Sequence, residues 1–137
     1  MICIKNNIIP FKGYKAINLF GIIFTRKQLT EKEKNHEKIH SEHMLEVDTL
    51  GVGLIALLCL FCNLHLTWCF FGLLTYYMVY GFEYLVIRFF HKKQKDAYHD
   101  VSFEEEAYKY DNDLNYIENE RKPFNWIKYI KIKSYTK

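Results

Sequence analysis

Two histidines and a glutamate in one short stretch, His36-Glu37-Lys38-Ile39-His40, form an H-E-x-x-H pentad. If this stretch is helical, the histidines stand one turn apart on the same face, where both imidazoles can reach one metal ion. Glu37 directly follows the first histidine, where its carboxylate can take a proton from a water that the metal activates. The pentad therefore predicts a zinc site with His36 and His40 as ligands and Glu37 as the general base.

A pattern with three fixed letters also arises by chance in unrelated chains. The alternative interpretation is a charged, solvent-exposed helix that carries two incidental histidines. A catalytic zinc site needs a third protein ligand and keeps one coordination position open. The rest of the chain decides between the two interpretations by whether it supplies that ligand.

The pentad lies in a stretch, Thr30 to Val47, that is predicted to form one helix. Thr30 followed by Glu33 fits a capping box, in which each residue satisfies a backbone N–H of the other. Glu31 and Glu33 also lie near the positive end of the helix dipole. The sequence therefore marks the start of the helix clearly.

The N-terminal region, residues 1–29, is predicted to contain a strand. Ala16 to Arg26 is rich in β-branched and aromatic residues, and Gly21 in its middle suggests a bulge or a close backbone approach. An isolated strand is unstable, so we expect it to pair with residues 2–9 or to pack on the pentad helix. It is either an edge strand to which an extended substrate adds, or a strand that merely covers the helix.

A long apolar block follows the pentad helix. From Thr49 to Phe82, 34 consecutive residues contain no Asp, Glu, Lys or Arg, although charged residues make up 26% of the chain. The block is too long for one membrane span of about 20 residues. We expect residues 49–90 to form an apolar hairpin that turns at the polar point Asn63 to His65, which returns the chain to the side that holds His36. The alternative is a pair of buried helices in a small soluble protein.

Acidic residues mark the start of a second helix, predicted over residues 102–120. Ser102 and Glu105 fit another capping box. Glu104 and Glu106 flank the apolar stripe of this helix and are candidates for the third metal ligand. The stripe has a spacing of three to four residues and consists of Phe103, Ala107, Tyr110, Leu114 and Ile117. An acidic cluster in a first helical turn is also explained by the helix dipole alone.

The chain resembles the gluzincin zinc metallopeptidases, most of all their membrane-embedded HtpX-like and CAAX-prenyl-protease-like relatives. The resemblance rests on HEKIH, an apolar helical pair and F-E-x-E-A on a later helix. The chain also looks like very short bacterial proteins with a strand, an HExIH helix and a downstream FExEAY. The resemblance implies that Glu104, three residues before Ala107, is the third ligand, while the apolar stripe favours Glu106. It also implies an acid four residues after the ligand, where this chain has Tyr108. The supporting carboxylate is therefore either absent or supplied by another residue, such as Asp111.

Other polar residues near these motifs are candidates for supporting roles. Tyr108, Tyr110 and His99 are candidates for stabilising an oxyanion, and the sequence does not choose among them. His43, three positions after His40, faces broadly the same way as the ligands. We expect it at the surface or behind the ligands.

Charge and cysteine content narrow the class of protein. The net charge is +3, and lysines lie on both flanks of the apolar block without a compact basic patch of the nucleic-acid-binding type. Such flanks indicate the cytoplasmic face of a membrane. Three of the four cysteines lie in the apolar block, which is not a secreted disulfide framework. The basic tail, residues 121–137, is either an anchor on an anionic membrane surface or a frayed, solvated end.

The sequence thus predicts a single domain over residues 1–137, mainly α with a short β element, with an integral-membrane helical hairpin between the HExxH helix and the Glu-bearing helix. The predicted function is Zn²⁺-dependent hydrolysis of a protein or peptide substrate at or near the membrane surface. The predicted partners include membrane lipid and no nucleic acid, and the location is a bacterial inner membrane with the metal site and both termini cytoplasmic. The alternative is a non-catalytic membrane interaction or structural protein whose pentad is incidental or only binds metal.

Overall fold

The chain forms a small three-stranded sheet followed by helices, in a computed structural model that describes residues 2–6, 8–9, 16–90 and 94–130. The strands are β1 (Ile2–Lys5), β2 (Ala16–Leu19) and β3 (Ile22–Thr25), and the helices are α1 (Glu31–Cys62), α2 (Thr75–Phe90), α3 (Gln94–His99), α4 (Ser102–Tyr110) and α5 (Tyr116–Asn119). Two further segments, Leu66–Leu74 and Asn125–Tyr129, are 3₁₀ helices. The prediction of a mainly α chain with a short β element is confirmed.

The sheet has the strand order β1-β3-β2, with β1 parallel and β2 antiparallel to β3. The predicted single strand from Ala16 to Arg26 is wrong, because the chain reverses at Phe20 and Gly21, whose φ angles are 53° and 79°. Two consecutive residues with positive φ form the tight turn whose twist matches that of a β-hairpin. The expected pairing with residues 2–9 is confirmed through β1. β2 is therefore an outer strand of the sheet.

Helix α1 begins as predicted but ends much later. Thr30 Oγ1 accepts from Glu33 N at 3.2 Å and Glu33 Oε2 accepts from Thr30 N at 2.9 Å, which is the expected capping box. The helix does not stop near Val47 but continues to Cys62. The intervening residues are rich in leucine and contain no proline, so nothing in them interrupts the helix. The pentad and the first arm of the apolar hairpin therefore belong to one continuous helix.

The apolar hairpin turns at the predicted point. Asn63 ends α1 in the left-handed conformation, with a φ of 51°, and the returning arm consists of the 3₁₀ segment and α2. Two stretches are long and apolar enough to cross a membrane, Glu31–Cys62 and Leu66–Phe90. Large apolar side chains on this hairpin are exposed, among them Leu54, Leu58, Leu60, Phe61, Phe70 and Phe82.

Two glycines let the arms of the hairpin approach closely. A methyl group on Gly51 of α1 would overlap Thr75, and one on Gly72 of the 3₁₀ segment would overlap the backbone of Val52. Small residues at such crossings are typical of helices that pack in lipid, where backbones must come close to gain contact. The close packing fixes the returning arm, and hence α2, against α1.

The helix predicted over residues 102–120 is divided into α4 and α5. The buried side chain of Asn35 on α1 donates to the carbonyl oxygens of Tyr110, Asp111 and Asp113, at 3.1, 3.2 and 2.9 Å. The last carbonyl groups of a helix have no partner within the helix. Asn35, which is distant in sequence, supplies the hydrogen-bond donor for these carbonyl groups, and α4 ends at this point.

The start of α4 also differs from the prediction, since the capping box of Ser102 and Glu105 is wrong. Ser102 N and Oγ donate instead to the carboxylate of Glu83 on α2, at 3.0 and 2.7 Å. Behind this start, the buried ring of Phe103 lies 4.4 Å from the ring of Trp126 in the predicted tail. Residues 131–137 of that tail lie outside the described residues. The returning hairpin arm thus fixes where the glutamate-bearing helix begins.

Candidate metal centre

Three side chains from two helices meet at one point. His36 and His40 of α1 place their Nε2 atoms 3.1 Å apart. The Glu104 carboxylate of α4 lies 3.4 Å from His36 Nε2 and 3.3 Å from His40 Nε2. These side chains are nearly closed off from solvent, with 12%, 8% and 3% exposed for His36, His40 and Glu104. The hairpin therefore returns the chain to the pentad, as its length predicted.

These separations fit a metal ion. Ligand atoms about 2.0–2.1 Å from a tetrahedral zinc ion lie about 3.3–3.4 Å from one another. The two histidine nitrogens are 3.1 Å apart, and Glu104 approaches His36 through Oε2 and His40 through Oε1. One ligand atom from each of the three residues lies within 4.8 Å of the other two. Glu104 Oε2 is buried and has no hydrogen-bond partner among the described residues, which is unusual for a carboxylate oxygen without an ion or a water. The cluster of His36, His40 and Glu104 can therefore hold a metal ion.

Glu37 lies beside this cluster, on the charged part of α1 that precedes the apolar block. Burial raises the pKa of its carboxyl group, against the lowering effect of the nearby histidines. A carboxylate with a raised pKa accepts a proton more readily near neutral pH. The strand β2 is tied to the helix at this point, because Asn18 Nδ2 donates to the Glu37 carbonyl at 3.1 Å and to Ser41 Oγ at 2.8 Å.

Tyrosine hydroxyl groups surround the three candidate ligands. Tyr80 of α2 donates to Glu104 Oε1 at 2.8 Å, and Tyr98 of α3 lies near the same carboxylate. The Tyr76 hydroxyl lies 3.3 Å from His40 Nδ1, the ring nitrogen that carries the proton when Nε2 binds a metal. Partners of this kind fix the orientation of metal ligands. The returning arm of the hairpin therefore orients two of the three candidate ligands, His40 and Glu104.

Replacing Tyr80 by Phe is expected to weaken metal binding while leaving the fold intact. The change removes the hydroxyl that holds Glu104 and keeps the ring that packs beside it. Loss of such a supporting hydrogen bond costs about 10–100-fold in metal affinity. Competition with a chromophoric chelator measures the affinity. Tyr84→Phe, one turn further along α2, is the matched control, and equal affinities in the two variants would show that the Tyr80 hydroxyl has no such role.

The electrostatics of the cluster favour a cation. Burial by itself lowers the pKa of His40, but the Glu104 carboxylate beside it raises that pKa overall. Burial would likewise raise the pKa of Glu104, but His40 and His36 hold it well below its usual range. Both shifts favour the charged forms of His40 and Glu104 in the metal-free chain. A metal ion bound here would take the place of the proton between them.

Glu106, the alternative third ligand, lies elsewhere in the interface. Its Oε2 is 3.3 Å from His43 Nε2, and both side chains are fully buried. Of the two positions expected for His43, at the surface or behind the ligands, the structure has the second, because α4 covers this side chain. α4 presents Glu104 to the pentad and Glu106 to the histidine that follows the pentad.

The candidates for oxyanion stabilisation separate in the structure. The ring of Tyr108 lies 4.5 Å from that of His36 and 4.7 Å from that of His99, and Tyr108 is 42% exposed. Tyr110 instead stacks on Tyr116, with ring centroids 3.7 Å apart. Tyr108 and His99 therefore lie at the open side of the cluster, and Tyr110 does not.

Sequence reasoning missed the tyrosines that support the ligands, because Tyr76 and Tyr80 lie in a block read as membrane helix alone. Their signal was the four-residue spacing of Tyr76, Tyr80 and Tyr84, which places three hydroxyls on one helix face. Asp111, suggested as a supporting acid, has its Oδ1 3.3 Å from Lys32 Nζ. Tyrosines occupy the place around the ligands that the resemblance assigned to an acid.

A scan against protein-family models and searches of curated proteins and of solved structures found no match for this chain. Membership of the gluzincin group stays a prediction that rests on the pentad and Glu104.

Proposed function

We propose that the protein is a membrane-associated zinc metallopeptidase with His36, His40 and Glu104 as ligands and Glu37 as general base. The observation that carries the proposal is that one ligand atom from each of His36, His40 and Glu104 lies within 4.8 Å of the other two, with a buried glutamate beside them. Catalytic zinc takes three protein ligands and leaves one position open, whereas structural zinc takes four. Among the described residues, three ligands come together here.

Each residue of the site has a defined task in peptide hydrolysis. A zinc ion held by these ligands would supply Lewis acidity, which lowers the pKa of water and polarises a carbonyl group. Glu37 takes a proton from the attacking water and passes it to the leaving amine, a role that suits its raised pKa. Tyr108, exposed beside His36, donates a hydrogen bond to the oxyanion that forms on the substrate.

An extended peptide is the proposed substrate, since β2 is an outer strand tied to the helix at Glu37. Extended peptides bind to such edges through backbone hydrogen bonds. Part of the outer edge of β2 already has a hydrogen-bond partner within the chain. The Tyr77 hydroxyl accepts from Phe20 N at 2.9 Å and donates to Asn18 O at 3.3 Å. A peptide that adds along the whole of β2 has to displace that hydroxyl.

The direct test of the activity is zinc-dependent peptide cleavage by the purified full-length protein in detergent. Proteome-derived peptides are incubated with the protein, and new termini are identified by mass spectrometry. Treatment with a zinc chelator is expected to abolish cleavage, and added Zn²⁺ is expected to restore it. Cleavage that persists in the chelated protein, or no cleavage by the zinc-loaded protein, would contradict the proposal.

The proposed location is a bacterial inner membrane, with the metal site and both termini on the cytoplasmic side. The exposed apolar hairpin supports insertion, and the lysines on both flanks of the block support this orientation. We expect the protein, expressed in a bacterium, to stay in the membrane pellet after an alkaline carbonate wash and to be released by detergent. Recovery in the aqueous supernatant would support the soluble helical pair instead.

A membrane protein that binds metal without turnover is the second candidate. The observation that favours it is the closure of the site, where His40 and Glu104 are 8% and 3% exposed. A peptide must reach the metal past Tyr108 and β2. Stoichiometric metal together with no cleavage of any peptide would select this candidate.

A further inference from the structure

A second layer of buried charge lies directly behind the candidate ligands. His43 follows His40 on the same face of α1, and its Nε2 is 3.3 Å from Glu106 Oε2. The interface between α1 and α4 therefore contains two layers of polar contacts. The first layer is the metal cluster with Glu104. The second layer is the pair of His43 and Glu106, which the proposed chemistry does not use.

Arg121 connects this second layer to both α1 and α4. Its Nε donates to Glu106 Oε1 at 3.0 Å, and its two terminal nitrogens donate to the carboxylate of Glu46 on α1, at 2.6 and 3.2 Å. The Arg121 side chain is 5% exposed and that of Glu46 is 12% exposed. One buried guanidinium thus grips a carboxylate on each of the two helices that supply the metal ligands.

Neighbouring groups hold this arrangement in place. The Tyr116 hydroxyl donates to Glu106 Oε1 at 2.9 Å, and Asn125 Nδ2 donates to the Tyr116 hydroxyl at 2.7 Å. Glu46 Oε2 also accepts from Phe124 N at 3.0 Å. Every group around the guanidinium is therefore oriented by a further hydrogen bond, which is what a bidentate arginine needs to act as a rigid connector.

The contacts of Arg121 with Glu46 and Glu106 also bear on the position of Glu104. Glu104 and Glu106 lie two residues apart on α4, a helix of only nine residues, so a shift of this helix along α1 moves both carboxylates. A slip of one residue along a helix is about 1.5 Å, whereas metal–ligand distances tolerate only about 0.2 Å. The contacts that hold Glu106 therefore limit how far α4, and Glu104 with it, can shift relative to the histidines.

We propose that Arg121 is a positioning residue of the metal centre, which acts through Glu46 and Glu106 to hold Glu104 against His36 and His40. This inference rests on the metal centre proposed above. The opposing interpretation is that the network only offsets the burial of its own charges. Such networks can often be replaced by apolar residues of similar size without loss of stability, and this provides the means to separate the two.

The test compares metal binding with stability in the full-length protein. The variants are Arg121→Lys, Arg121→Met and the triple change Glu46→Met, Glu106→Met, Arg121→Leu. Affinity is measured by chelator competition with Zn²⁺, the ligand geometry by the visible absorption of bound Co²⁺, and stability by thermal unfolding of the metal-free protein. Lys38→Met, which removes the charge from an exposed pair with Glu118, is the matched control.

We expect Arg121→Lys and the triple variant to unfold near the wild-type temperature, yet to bind Zn²⁺ about 10–100-fold more weakly with an altered Co²⁺ spectrum. Wild-type affinity and spectrum in either variant would overturn the inference. If Arg121→Met does not fold, the other two variants still decide. Failure of the wild type itself to bind metal would instead overturn the proposed metal centre, so the two failures are distinguishable.

Discussion

Replacing Glu37 by Gln is expected to abolish peptide cleavage while the metal stays bound. Glutamine keeps the size and polarity of the side chain but cannot accept the proton of the attacking water. General-base catalysis of this kind contributes about 10²–10⁴-fold, so kcat should fall by about that factor. Glu37 lies beside the ligand cluster and not within it. The metal content should therefore match that of the wild type.

The control for this variant is Glu42→Gln, a half-buried glutamate of the same helix. It should leave cleavage and metal content unchanged. Loss of metal from Glu37→Gln would mean that Glu37 is a ligand and not the base. Undiminished cleavage by Glu37→Gln, measured beside the Glu42→Gln protein, would remove Glu37 from the mechanism altogether.

Removing a ligand is expected to abolish metal binding, most clearly in His40→Ala and Glu104→Ala. Loss of a partner that only supports a ligand costs about 10–100-fold, so loss of the ligand itself should cost at least about 100-fold in affinity. His65→Ala, at the turn of the hairpin, and Glu118→Gln, on the exposed surface, are the matched controls. Titration with Zn²⁺ in the presence of a chromophoric chelator compares all four variants.

The same titration has an expected pH dependence. The pKa of His40 is raised in the metal-free chain by Glu104, so a proton competes with the metal for this pair. Affinity for Zn²⁺ should therefore fall as the pH is lowered through that raised pKa. A metal affinity that is independent of pH would show that the ion does not bind at His40 and Glu104.

The sequence predicted those features whose cause is local. The capping box at Thr30 and Glu33 involves residues three apart, and the pentad needs only helical spacing to align His36 and His40. The turn at Asn63 to His65 follows from the length of the apolar block and its most polar point. Each of these is written in a few adjacent letters, and the structure contains them.

The features that were missed have causes distant in sequence. Asn35 ends α4 by contacts with carbonyl groups 75 to 78 residues away, and Glu83 caps the start of the same helix in place of its own residues. No pattern within residues 102–120 contains this information. The reversal at Phe20 was missed for a different reason, since a bulky residue rarely adopts a positive φ.

The choice of Glu104 over Glu106 shows where periodicity stops being informative. The two glutamates flank the apolar stripe of α4, both are buried, and each lies beside a histidine of α1. The apolar stripe favoured Glu106, because the stripe marks burial and not the identity of the partner. The partner is decided by how α4 lies along α1, and that depends on contacts distant in sequence, such as those of Arg121 and Asn35 between the two helices.

The most direct test of the central claim is the metal content of the wild-type chain, purified in detergent without added metal and without a metal-binding tag. Elemental analysis by mass spectrometry, referred to the protein concentration, should give close to one zinc ion per chain. His40→Ala, prepared in parallel, should contain none. A wild-type protein that carries no stoichiometric metal, and that binds none when Zn²⁺ is supplied, would contradict the claim that His36, His40 and Glu104 form a metal centre.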